Sequence, residues 1–230
     1  MHSPIILSVG GSLVVPDMID TVFLSSLKKL LEEEVRKGKE FIVVLGGGKT
    51  ARRYQAAGRE VANLTPAEVD WLGIYSIQLN AELVRLIFGP LAHGKVIIQP
   101  HELSAVSRPI AVAGAEQPGH SSDFDAVEMA HEATAKRIVN LSNIDYVYTK
   151  DPKKFPDARK IEDIDWKNFR KLLPAVEEWE PGSNTPFDPV AAKRAEELGL
   201  EVVVMNGNDL AHLRNYFEGR PFKGTVIKDQ

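Results

Sequence analysis

Cysteine is absent from the 230-residue chain. Disulfides, thiolate metal sites and cysteine nucleophiles are excluded together, which fits a reducing compartment. There is no basic excess either: the formal net charge is −4, so neither a nucleic-acid partner nor an anionic membrane surface is expected. No stretch approaches the ~20 apolar residues of a membrane span. The opening MHSPIILSVGGS has no basic segment and only a short apolar run, so no leader is expected and the chain reads as cytoplasmic. Two motifs are also missing. Neither G-x-x-x-x-G-K-[ST] nor G-x-G-x-x-G occurs, so any nucleotide must be held by a different phosphate-handling architecture.

What is present is an ordinary globular composition, 43% apolar and 26% charged. Short apolar runs at Ile5–Val9, Phe41–Leu45, Val96–Gln99, Pro109–Ala113, Arg137–Leu141, Glu201–Met205 and Thr225–Lys228 predict buried strands. Between them, helical spacing covers Asp20–Lys37, a segment from about Lys49, Asp123–Ala135, Asp165–Leu173, Pro189–Leu198 and Leu210–Phe217. Thr65-Pro66-Ala67-Glu68 spells a capping box that opens a helix running toward Phe88, with a break or bend expected near Gly73. Strands that alternate with helices, and that are apolar throughout, predict an α/β fold with a mainly parallel sheet covered on both faces. One domain with two lobes is expected, softly divided near Val139. The Pro- and charge-rich stretch Tyr148–Thr185 is the candidate for loops at a site mouth.

Four segments carry chemistry. Gly10-Gly11-Ser12 and Gly46-Gly47-Gly48-Lys49 each follow a predicted strand. Bare glycine amides at a strand end or helix N-terminus hold anions, and Lys49 and Arg52 add positive charge within one turn. Each alone also reads as a plain turn; together, at two strand ends, they fit the ligand crevice of an open α/β sheet. The third segment, Gln117-Pro118-Gly119-His120-Ser121-Ser122-Asp123, is a loop of small donors entering a helix. Its bland reading is an N-cap with a solvated carboxylate; its chemical reading is a phosphate loop with Asp123 orienting donors or helping to hold Mg²⁺. The fourth, from Ser142-Asn143 to Tyr148 and Asp151-Pro152, offers tyrosines to flank a base and carboxylates for hydroxyl or amino groups. It also reads as a turn with Asx caps.

In order and spacing these blocks, with Asp188-Pro189 and Ala191-Ala192-Lys193, resemble the amino acid kinase superfamily, and within it the archaeal-type uridylate (UMP) kinases. The resemblance spans essentially the whole chain. It implies an open eight-stranded sheet sandwiched by helices, with an acceptor-binding lobe at about 1–138 and an ATP-binding lobe at about 139–230. It implies ATP contacts at Gly11, Ser12, Gly48, Arg52, Ser142, Asn143, Tyr148 and Asp151. UMP contacts are implied at Gly47, Asp70, Glu116, Gln117, Pro118, Gly119, His120, Ser121 and Ser122. Arg52, Asp123 and Lys49 are the expected catalytic groups, Mg²⁺ is expected with ATP, no protein metal site is assigned, and the assembly implied is a hexamer built from dimers. Three positions depart from the pattern: Ser8 stands where many relatives have a first-strand lysine, a second lysine is replaced near Asp188, and Glu116-Gln117 stands where this subgroup usually has Thr-His. Two alternatives follow from them, a kinase for another small phosphate such as isopentenyl phosphate, and a nucleotide-binding regulatory or storage protein without transfer.

Overall fold

The structure is a computed structural model describing residues 3–179 and 185–229. The chain runs β1 (Ile5–Val9), α1 (Gly11–Val14), α2 (Thr21–Arg36), β2 (Phe41–Leu45), α3 (Gly48–Val61), α4 (Pro66–Phe88), β3 (Ile110–Ala113), α5 (Ser122–Glu132), β4 (Arg137–Ser142), β5 (Val147–Tyr148), β6 (Lys160–Ile161), β7 (Asp163–Ile164), α6 (Trp166–Arg170), α7 (Pro189–Glu197), β8 (Glu201–Asn206), α8 (Leu210–Phe217) and β9 (Thr225–Ile227), with three short 3₁₀ turns. Seven strands form one sheet in the order β3-β2-β1-β4-β8-β9-β7. β3, β2, β1, β4 and β8 are parallel; β9 runs antiparallel to β8, and β7 runs parallel to β9.

Period-two alternation splits each strand between two cores. Leu7, Val43, Val139 and Val203 face Leu27 and Leu31 of α2, Val84 of α4 and Leu213 of α8. Ile6, Ile42, Ile138 and Val202 face α5 and α7, with Trp166 and Phe169 of α6 sealing that layer. The α/β class with helices on both faces is therefore observed, with seven strands in the sheet where eight were expected. The difference lies at the β3 edge. Val96–Gln99 was expected as a strand, but the chain touches β3 through two single bridges, Ala92–Ile110 and Ile97–Ala113. Pro100 opens a 3₁₀ helix immediately afterwards, so the run is too short to build a ladder.

The capping box at Thr65 forms as expected, with Glu68 accepting from the Thr65 backbone at 2.8 Å. α4 then continues unbroken to Phe88. Gly73 does not bend it; a Cβ there would sit 2.8 Å from the Gln55 amide of α3, so glycine serves close helix packing. α5 ends at Glu132 rather than Ala135, with Thr134 at φ 50 reversing the chain. No helix among the described residues is long and apolar enough to cross a membrane.

Candidate functional site

β1 and β2 lie side by side with their C-terminal ends level, Val9 opposite Leu45. The glycine turns that follow are pressed into each other. A Cβ on Gly11 would stand 2.1 Å from the Gly48 amide nitrogen, and one on Gly48, at φ +60, would stand 2.3 Å from the Gly11 carbonyl oxygen. Only glycine satisfies both the space and the left-handed backbone. From the opposite side Asn80, buried in mid-α4, donates to the carbonyls of Gly46 and Gly47 at 2.9 and 3.2 Å. The double turn is thereby fixed; Gly10, Gly46 and Lys49 donate to the carbonyls of Leu141, Val9 and Val15, while the amides of Gly11, Ser12, Gly47 and Gly48 have no backbone acceptor among the described residues.

A cleft of about 480 Å³ opens over it. Gly11, Ser12, Gly47, Gly48, Arg52, Asp70, Asp123 and the loop residues Gln117 to Ser122 all line it. Asp70 reaches across from α4 and accepts from the Gly119 amide at 3.1 Å, tying the loop to the helix. Ser121 caps α5 through the Phe124 amide, and its hydroxyl also donates to Asp188. Gln55, Arg59, Trp179 and Asp188 line the cleft too and were not singled out as ligand groups in the sequence. Arg59 stands two turns beyond Arg52 on α3, a spacing that could have marked it.

Asp123 organises the floor. Its Oδ1 accepts from Asn140 at 3.0 Å and its Oδ2 from the Asp188 backbone amide at 3.1 Å. Burial raises its pKa to about 7; the backbone bond from Asp188 opposes this, the Asp188 charge reinforces it, and the hydroxyls and amides of Ser8 and Asn140 oppose it. Ser8, buried in β1, thus supports this carboxylate where many relatives carry lysine. Asp188 is also raised by burial, against the bonds it accepts from Ser121 and from the Val190 and Ala191 amides.

The other expected residues lie outside this cleft. Lys49 follows Gly48 on α3 but does not line it. Glu116 turns to the far side of its loop, where Gln99 donates to it at 3.0 Å. Ser142 ends β4, on the other flank of β1 from the triple glycine, and its Cα would lie 3.9 Å from a Cβ on Gly10. Asn143 follows it, exposed. Tyr148 sits in the small β5–β6 hairpin, and Asp151 beyond it accepts from the Lys153 amide. Across the sheet the order is therefore the loop after β3, the triple glycine, the first glycine turn, then Ser142. Of the expected mouth segment Tyr148–Thr185, Trp179 and Thr185 reach the cleft, while residues 180–184 lie outside the described residues. A cavity of about 620 Å³ lies elsewhere, among Pro4, Arg108, Pro109 and Glu132 at the N-terminal ends of the strands. Open α/β sheets bind ligands at the carboxyl ends, so the smaller cleft is the candidate site.

The family model described as "Amino acid kinase family" matches residues 3–107 and 91–206. The chain belongs to the amino acid kinase family. Within it, the chain is 35% identical to the uridylate kinase of Methanospirillum hungatei over 227 residues, covering 97% of this chain and 94% of that one. It is 33% identical to the uridylate kinase of Sulfolobus acidocaldarius over 206 residues, covering 89% and 90%. The crystal structure of uridylate kinase from Archaeoglobus fulgidus superposes with a TM-score of 0.81 at 28% identity, covering 97% of this chain and 99% of that one. The fold is thus shared with that uridylate kinase over nearly the full chain.

Proposed function

We propose that this chain transfers the γ-phosphoryl group of ATP to UMP, giving ADP and UDP. The observation that carries the reading is the interlocked pair of glycine turns at the ends of β1 and β2, roofed by the donor-rich loop 117–122. Two phosphate-bearing ligands must be held end to end against their mutual repulsion. Backbone amides at the start of α3, with Arg52, do this without burying an unpaired lysine. ATP is assigned to Gly11, Ser12, Gly48 and Arg52, with its nucleoside half running toward Ser142, Asn143, Tyr148 and Asp151. UMP is assigned to Gly47, Asp70 and Gln117 to Ser122; Asp70 and the amides of Gln55 and Gln117 supply the partners that a uracil or ribose requires. Glu116, turned away, is withdrawn from the contact set, which removes an acid from beside the acceptor phosphate.

The reaction is a direct in-line displacement. An oxygen of the acceptor phosphate bonds to Pγ, the bond from Pγ to the β,γ-bridging oxygen breaks, and ADP leaves. That acceptor oxygen is already ionised, so no general base is needed, and the chain contributes positioning and charge neutralisation. Asp123 is assigned as the organiser of the floor. Mg²⁺ bound with ATP would supply positive charge that neutralises the phosphates. Among the described residues no group of three His, Cys, Asp or Glu is placed to hold a metal. Asp123 and Asp188 are the carboxylates suited to help the phosphates hold the ion. Division of the chain into an acceptor lobe at about 1–138 and a donor lobe at about 139–230 follows from the same assignment.

Self-association belongs to the reading as well. Trp71, Tyr75, Leu79 and Leu86 of α4, four or seven residues apart, are exposed and apolar; they support burial against another copy, in a hexamer of dimers. Light scattering on the purified chain tests the assembly. ADP release measured across UMP, CMP, dUMP and isopentenyl phosphate tests the activity. UMP should give the highest kcat/KM; turnover fastest with isopentenyl phosphate would reassign the acceptor, and ATP binding without turnover would remove the activity.

A further inference from the structure

A second cavity, of about 400 Å³, lies behind the acceptor loop, between that loop, α5 and α7. Ile98, Phe124 and Met129 give it apolar walls. Its acids are not equivalent. Glu128 receives the Arg194 guanidinium at 2.8 Å and is neutralised. Glu116 accepts only from the uncharged Gln99 amide, at 3.0 Å, so its charge is uncompensated. Asp125 is 8% exposed, and its Oδ2 has no hydrogen-bond partner among the described residues. Buried carboxylate oxygens are almost always partnered, so this one is the exception that asks for a ligand. Burial, then the charges of Glu116, Asp123 and Asp188, push Asp125 up to about 7.

We propose that this cavity binds a small organic ammonium ion, with Asp125 and Glu116 as the acceptors of its N–H donors and the apolar walls covering its carbon chain. A divalent metal does not suit it: no group of three metal-ligating side chains is present among the described residues, and the volume far exceeds that of a bare ion. An ammonium group supplies what is missing, one positive charge with several donors. Gln117 and His120 line both this cavity and the candidate active cleft, and His120 packs on Phe124 with ring centroids 4.4 Å apart. A bound amine therefore stiffens the wall that faces the acceptor.

The test is calorimetric titration of the nucleotide-free 230-residue chain with putrescine, methylammonium and spermidine at constant ionic strength, followed by thermal melting. Putrescine should bind saturably and raise Tm, whereas NaCl or MgCl₂ at equal ionic strength should not. Asp125→Asn should weaken binding at least about tenfold, since Asp125 is the buried acid among the described residues that line the cavity. Circular dichroism checks its fold, and Glu116→Gln, at a half-buried position, gives an independent second loss. No saturable binding, equal binding by both variants, or the same shift produced by Mg²⁺ would overturn the proposal. Because the readout is binding without substrates, its failure is separable from failure of the kinase assignment.

Discussion

Asp123 and Asp125 sit two residues apart on α5, and both are raised to about 7 by burial. On the cleft side, Asp123 is held by Asn140 and the Asp188 amide. On the cavity side, Asp125 Oδ2 has no hydrogen-bond partner among the described residues. The same contrast runs through the two hollows. The cleft is built from fixed backbone and satisfied carboxylates, so the amides left without an acceptor at Gly11, Ser12, Gly47 and Gly48 suit an anion. The cavity behind it leaves two carboxylates uncompensated, so it asks for a cation. Burial alone does not separate a finished site from an unfinished one; the accounting of partners does.

The largest effect expected on the cleft side is from Gly48→Ala. The added Cβ meets the Gly11 carbonyl at 2.3 Å in a left-handed backbone. ADP release should fall below about 1% and urea melts should show a loss on the order of 2–4 kcal/mol. Near-normal activity would mean that the two turns do not depend on each other. Next come Arg52→Ala and Asp123→Ala, each lowering turnover about 100-fold while the far-ultraviolet spectrum stays native. Wild-type turnover in both would take them out of the mechanism.

On the cavity side the sign is opposite. An acid whose folded pKa exceeds its ordinary 3.8 opposes folding increasingly as pH rises from there to about 7, and no further above. Asp125→Asn removes that cost. Without added amine, its stability gain should grow between pH 4 and pH 7, level off above, and reach on the order of 1–3 kcal/mol in denaturant melts. A flat pH dependence would show that Asp125 already has a partner. The smallest effect is expected from Lys49→Ala, less than about threefold in turnover, because Arg52 lines the cleft and Lys49 does not. A loss equal to that of Arg52→Ala would place Lys49 on the phosphates despite its position.

Much of this was legible in order of residues. Apolar runs ending in glycines placed β1, β2 and their turns, and Thr65 with Glu68 placed the start of α4. Asp70 entered only through resemblance, because a carboxylate on a helix gives no local sign that it will reach an amide 49 residues on. Asn80, which braces the triple glycine, gave no sign at all; its partners lie 33 and 34 residues away. Val96–Gln99 read as a strand because its composition is that of one, yet pairing needs length as well as apolarity, and Pro100 withholds it. Gly73 read as a helix break because glycine is locally permissive; a neighbouring helix decided otherwise.

By itself the sequence determined which segments become buried strands, where glycine frees the backbone, and how the helices start, since these depend on neighbours a few residues apart. Only the tertiary structure decided which carboxylates find partners, that the two glycine turns interlock, and that Glu116 faces away from the cleft. Those outcomes depend on groups tens of residues distant, and distance in space is set by the packing of the sheet and its two helical layers rather than by local preference.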